Sequence, residues 1–134
     1  MSALKDIIVL DLSRGKAGAV ASMFLADNGA RVIRVSDDSR TNIFEISKNE
    51  NFYETEFAFF NRGKELLKID VSKELKFIES LLASADVVLD DCEPSERLSG
   101  LNICNIAKNF PHLIHCSITP YGNKSHLKKN RNSI

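Results

Sequence analysis

Residues 7–36, IIVLDLSRGKAGAVASMFLADNGARVIRVS, constrain the fold more than any other stretch. An apolar run (Ile7, Ile8, Val9, Leu10, Leu12) meets a small-residue turn (Ser13, Gly15, Ala17, Gly18). A helical stretch with Val20, Met23 and Phe24 follows, stops at Gly29, and gives way to a second apolar run, Val32 to Val35. Buried parallel strands read as continuous apolar runs and need a crossover between them, so this pattern is a βαβ unit. Such sheets bind ligands at turns of this kind. Gly15 and Gly18 permit close backbone approach, the N–H groups opening the helix favour an anion, and Arg14 and Lys16 add two cations. The G-x-x-G spacing matches neither the dinucleotide motif G-x-G-x-x-G nor the phosphate loop G-x-x-x-x-G-K-[ST]. An anion-binding turn and a turn whose glycines only let helix and strand pack are both consistent with it.

A chain of 134 residues with 43% hydrophobic and 27% charged residues can bury one core without staples. Formal net charge is zero, but Lys124, Lys128, Lys129 and Arg131 follow Gly122 with no acid among them, so the body before them is net negative. That balance argues against a nucleic-acid-binding body. No stretch approaches the ~20 apolar residues of a membrane span. The start, MSALKDIIVLD, carries acids where a signal peptide has none, so a cytoplasmic protein is expected. Cys92, Cys104 and Cys116 are odd in number and form no C-x-x-C pair, which favours reduced thiols over a disulfide framework or structural zinc. His112, His115 and Cys116 invite a metal reading. A strand over 113–118 would point His115 and Cys116 to opposite faces, so no metal is expected.

Asp37 to Asn51 is polar and without period, and reads as a long loop with at most one helical turn. Phe52, Tyr53, Phe57, Phe59 and Phe60 are too dense for a solvated loop and predict a segment anchored in the core or covering a pocket. The turn Asn61-Arg62-Gly63-Lys64 feeds a third strand through Leu66, Leu67, Ile69 and Val71. Ser72 is placed to N-cap a helix whose Leu75, Ile78, Leu81 and Leu82 make one apolar stripe. A fourth strand, ADVVL over 85–89, runs into Asp90, Asp91, Cys92, Glu93 and Pro94, where a ligand crevice is expected. Leu101, Ile103, Ile106, Ala107 and Phe110 trace a short helix capped by Asn102 and ended before Pro111, and LIHCSI over 113–118 is a fifth strand. Asp11 and Asp70 fall in strand-like runs and read as paired structural acids. The expected fold is therefore α/β, a mostly parallel sheet of about five strands flanked by helices over residues 1–122, with 123–134 a basic linker or tail.

Four ordered blocks carry a resemblance over nearly the whole chain: IIVLDLSRGKAGAVASMFLADNGARVIRV, FAFFNRGKELLKIDV, ADVVLDDCEPSERLSGLN and FPHLIHCSITPYG. Together the chain resembles the family III CoA-transferases, which include formyl-CoA and carnitine CoA-transferases and α-methylacyl-CoA racemase. The resemblance implies a Rossmann-like domain, interlocked dimers, and transfer of CoA between an acyl thioester and a free carboxylic acid. An aspartate carboxylate attacks the thioester carbonyl in that chemistry, giving a mixed anhydride. The family's aspartate lies beyond the block matching SITPYG, so no catalytic residue is expected in this chain, which reads as an amino-terminal portion that is catalytically incomplete alone.

The resemblance also implies a CoA-contacting surface. Arg14, Gly15, Lys16 and Ala17 would run along the cofactor, with Asp37, Ile69, Ser72, Asp91, Cys92 and Arg97 at the other contacting positions. The polyanionic end of CoA suits helix N-termini and cationic side chains. Several positions depart from the family pattern. Ser36-Asp37 replaces an acid followed by proline or a base; Asp91-Cys92-Glu93-Pro94-Ser95 replaces Asn-Phe-x-Pro-Gly; Pro120 replaces a glycine. Carboxylates near phosphates oppose binding unless paired. A second expectation of a different class is thus a non-catalytic truncated paralogue, dimerising or assembling with a longer homologue. A flavodoxin-like or receiver domain fits less well, because the acids and lysine a receiver needs are absent.

Overall fold

The computed structural model describes residues 2–36, 50–70, 73–91 and 103–122. Five strands form one parallel sheet: β1 (Ile8–Asp11), β2 (Arg31–Ser36), β3 (Glu65–Lys68), β4 (Val87–Asp90) and β5 (Ile114–Ser117), in the order β3-β2-β1-β4-β5. Helices α1 (Lys16–Asp27), α2 (Glu50–Phe60), α3 (Leu75–Ser84) and α4 (Ile103–Asn109) connect them. The α/β expectation therefore holds, and the described strands are all parallel.

Strand alternation sorts the core onto two faces. Leu10, Leu12, Ile33, Val35 and Val88 pack with Ile78 and Leu82 of α3 and Ile106 of α4. Val9, Val32 and Leu89 point the other way and pack with Ala21, Leu25 and Ala26 of α1. Buried on both faces, β1, β2 and β4 show the continuous apolar runs seen in the sequence. The edge strands are more open, with Leu66 of β3 and Ile114 of β5 both exposed. Asp86 ties the amino ends of three strands together: its carboxylate accepts from the Ile8 amide at 2.8 Å, its amide donates to the Ile8 carbonyl at 2.9 Å, and its carbonyl accepts from the Ile114 amide at 2.9 Å.

Helix α1 ends where expected. Gly29 adopts φ of +96°, a left-handed conformation that suits glycine, and its amide donates to the Ala26 carbonyl. Two expectations change. The aromatic segment is helical, α2, and it is not simply core: Phe59 is exposed, stacked edge-on against Phe60 and covered by the Arg62 guanidinium at 4.7 Å. Arg62 also bridges to Asp27 of α1 at 2.6 Å, which holds α2 against α1. Helix α3 starts with Glu74 as N-cap and no side-chain capping bond; the Asp70 carbonyl receives the Lys73 and Glu74 amides, each at 3.0 Å. Ser72 and Asn102, the expected caps, lie outside the described residues, as do residues 37–49 and the tail 123–134. Helix α4 stops before Pro111 as anticipated.

Candidate functional site

The strand order reverses between β1 and β4, so the crossovers leaving these two neighbours depart to opposite faces, and their carboxyl ends are the place where sheets of this order form a ligand crevice. The Leu12 amide still bonds the Leu89 carbonyl at 2.9 Å, after which the chains part. The β1–α1 turn, Leu12 to Lys16, and the β4 terminus, Asp90-Asp91, meet here. Gly15 is the N-cap of α1 in an extended conformation, with no side chain to cap the helix. Asp91, just past β4, holds the two residues that lead into the helix: its carboxylate accepts from the Arg14 amide at 2.9 Å through both oxygens and from the Gly15 amide at 2.6 Å. The donors that the sequence offers to an anion thus hold one belonging to the chain itself. The Arg14 Nε lies 4.0 Å from the same carboxylate, and Lys16 is ion-paired with Glu56 of α2.

A second carboxylate holds the turn from beneath. Asp11 is fully buried; its Oδ1 accepts from the Ser13 amide at 3.0 Å and the Ser13 hydroxyl at 2.5 Å, and its Oδ2 accepts from the Ser22 hydroxyl of α1 at 2.5 Å. Two buried cations share that Oδ2, Arg34 Nη1 at 3.4 Å and Lys64 Nζ at 3.6 Å. Lys64 also donates to the Ala19 carbonyl at 2.9 Å and to Asn61 Oδ1 at 3.5 Å. Burial pulls the Lys64 ammonium down to about 8; Asp11 opposes that fall and Arg34 adds to it. Gly18 completes the packing, because a Cβ there would stand 2.0 Å from Ser13 Oγ. This glycine serves close approach of helix and turn, the packing alternative left open by the motif.

Of the sequence-derived contact residues, the fold brings Arg14, Gly15, Lys16, Ala17 and Asp91 together at the crevice. Lys16 and Ala17 are exposed, Arg14 and Asp91 partly buried, Gly15 buried. Ile69 lies in the core cluster on the α3 face, its amide bonded to the Ser36 carbonyl. Asp37, Ser72, Cys92 and Arg97 lie outside the described residues. Ser13, Ser22, Arg34, Glu56 and Lys64 were not anticipated. A signal for one pair existed: Arg34 interrupts an apolar strand, and strand register sets it directly beside Asp11. Asp70, the other expected structural acid, pairs with Lys73 at 2.7 Å. Nearby, the buried Asp90 lies 3.4 Å from His115 Nε2. Among the described residues no group of three or more His, Cys, Asp or Glu could hold a metal, and no helix is long and apolar enough to cross a membrane.

Known proteins share both the sequence and this architecture. The chain is 35% identical over 133 residues to mouse succinyl-CoA:glutarate CoA-transferase, spanning 91% of this chain and 29% of the relative. It is 34% identical over 131 residues to succinyl-CoA:mesaconate CoA-transferase of Haloarcula hispanica, spanning 91% of this chain and 33% of the relative. In three dimensions it matches a CAIB/BAIF family protein from Brucella suis with a TM-score of 0.78 at 28% identity, over 94% of this chain and 35% of that one. It also matches the protein Rv3272 of Mycobacterium tuberculosis with a TM-score of 0.77 at 29% identity, over 94% and 36%. The chain spans about a third of the length of these relatives. The model of the CoA-transferase family III matches residues 4–134, and with nearly the whole sequence and the whole sheet in agreement, the chain belongs to that family.

Proposed function

We propose that this chain is the amino-terminal, CoA-binding part of an enzyme that moves CoA between an acyl-CoA thioester and a free carboxylic acid. The observation that carries the reading is the meeting of the β1–α1 turn with the end of β4 at the strand-order reversal, in a member of family III. Relatives named for succinyl-CoA, glutarate and mesaconate support the substrate class. In this reading Arg14 and Lys16, with Arg97, hold anionic parts of CoA, and Gly15 and Ala17 shape the surface along which it lies; Asp37, Ile69, Ser72, Asp91 and Cys92 complete the contacting positions. No nucleophile is assigned within these residues, so the 134-residue chain alone is expected not to turn over. The protein would work in the cytoplasm, as a homodimer or joined to further chain of the same family.

Calorimetric titration of CoA into the 134-residue chain, with 3′-dephospho-CoA as control, tests the reading. Binding weakened by loss of the 3′-phosphate, and weakened about tenfold or more by Arg14→Ala with Lys16→Ala, supports it, since each charge-assisted bond contributes on the order of 1.5–3 kcal/mol. Unchanged affinity in the double variant would remove these residues from the site.

A second reading is an assembly module that binds no CoA. It is favoured by the acids already resident at the turn, Asp91 on the amides and Glu56 on Lys16. Absence of heat from a folded sample, together with co-purification of a longer homologue, would select it.

A further inference from the structure

The side chain of Lys64 has no exposure to solvent. Its ammonium faces one acceptor from each of three elements: the Ala19 carbonyl of α1, Asn61 Oδ1 of the turn after α2, and the Asp11 carboxylate of β1. The Asn61 amide nitrogen is committed to the Phe57 carbonyl at 2.9 Å, which keeps its oxygen turned toward Lys64. From β2 the facing charged group is Arg34, bonded to the same Asp11 oxygen, and α1 adds the Ser22 hydroxyl. An ammonium has three N–H groups, two of them here in hydrogen bonds to Ala19 and Asn61 and the third available to the Asp11 carboxylate at 3.6 Å; a neutral amine has two and a lone pair. Loss of the proton therefore turns a lone pair toward an oxygen, and one of the three partners must move away. The partner with the furthest reach is Asp11, because its other oxygen holds both the amide and the hydroxyl of Ser13, the second residue of the turn.

Charge points the same way. Removing the Lys64 proton lowers the charge buried beside Asp11 and under the turn by one unit. In a site of low dielectric, one charge is felt by an anion lying above it.

We propose that Lys64 is a positioning residue for the β1–α1 turn: its ammonium, acting through Asp11 and Ser13, holds the turn in the form that receives an anionic ligand, and loss of its proton releases that form. The proposal rests on the reading of the turn as a CoA-contacting surface, and it makes affinity there pH-dependent. Burial places the change close to pH 8, within reach of ordinary conditions.

The test uses amide resonances of the ligand-free chain from about pH 6.5 to about pH 9.5, a range in which an arginine stays charged. The Ser13 and Arg14 amides are expected to follow one titration near pH 8, matching that of the Lys64 side chain. They are expected to be flat in Lys64→Arg, and fixed at the alkaline position in Lys64→Met. In parallel, affinity for S-methyl-CoA, which lacks a titrating thiol, is expected to fall severalfold across the range in the unaltered chain and to change less than twofold in Lys64→Arg. If the arginine variant does not fold, the methionine variant and the Lys64 side-chain signal still decide. Amides that stay flat while Lys64 titrates, or that titrate equally in Lys64→Arg or Lys64→Met, would overturn the proposal. Amides that titrate in a chain binding no S-methyl-CoA at any pH would uphold the coupling and remove the CoA reading.

Discussion

Two aspartates hold the same turn from opposite sides, and they do so under different physics. Asp11 is fully buried and meets two cations and two serines. Asp91 is only partly buried, binds two backbone amides, and sits at the mouth of the crevice. Removing the first strands charges in the interior, where desolvation dominates. Removing the second uncovers donors that solvent or a ligand can reach. The buried side thus determines whether the turn exists, and the open side determines what the turn can accept.

The comparison can be broken at several points. Asp11→Asn removes the carboxylate that Arg34 and Lys64 share and is expected to cost about 3–5 kcal/mol in urea unfolding, the scale of a broken buried ion pair. Gly18→Ala drives a methyl into Ser13 on the buried side and is expected to cost about 1–3 kcal/mol of overpacking, read in the same urea unfolding. Asp91→Asn keeps one acceptor and is expected to cost less, about 1–2 kcal/mol, with circular dichroism unchanged. A loss as large as that of Asp11→Asn would erase the distinction between the two sides. A last effect, one of pH, concerns Lys64. Its folded-state proton leaves near pH 8 while the unfolded chain keeps it to 10.5, so the unfolded state binds more protons between those values. Unfolding free energy of the unaltered chain, measured against Lys64→Met, is therefore expected to rise with pH through that window. A fall would mean that the folded chain holds the Lys64 proton more tightly than the unfolded chain does.

The buried strands were legible because a parallel sheet covered on both faces leaves apolar runs such as IIVL and VVL with little ambiguity. The turn was legible through its glycines and its place after β1. The aromatic segment was not, because ENFYETEFAFF has no clean helical period and its aromatics are indifferent helix formers. Helix α2 is held by contacts distant in sequence, Arg62 to Asp27 and Glu56 to Lys16, which a local pattern cannot show. The occupant of the helix terminus escaped for the same reason: Asp91 reaches Arg14 across 77 residues. Arg34 could have been found by asking which acid would neutralise a cation in an apolar strand. Lys64 could not, since its loop reads as an ordinary polar turn.

The strand order also arranges events in time. β1 has a hydrogen-bonded neighbour on each side, whereas among the described residues β3 and β5 have one each. Local openings begin where backbone bonds are fewest, so fraying is expected to start at the sheet margins and to reach β1 among the last of the strands. Asp91 follows β4, one strand from a margin, and Asp11 ends β1 at the centre. Hydrogen exchange should then register the loosening of the turn's outer clasp before its inner one, giving the crevice a partly open state while the core beneath it is still intact.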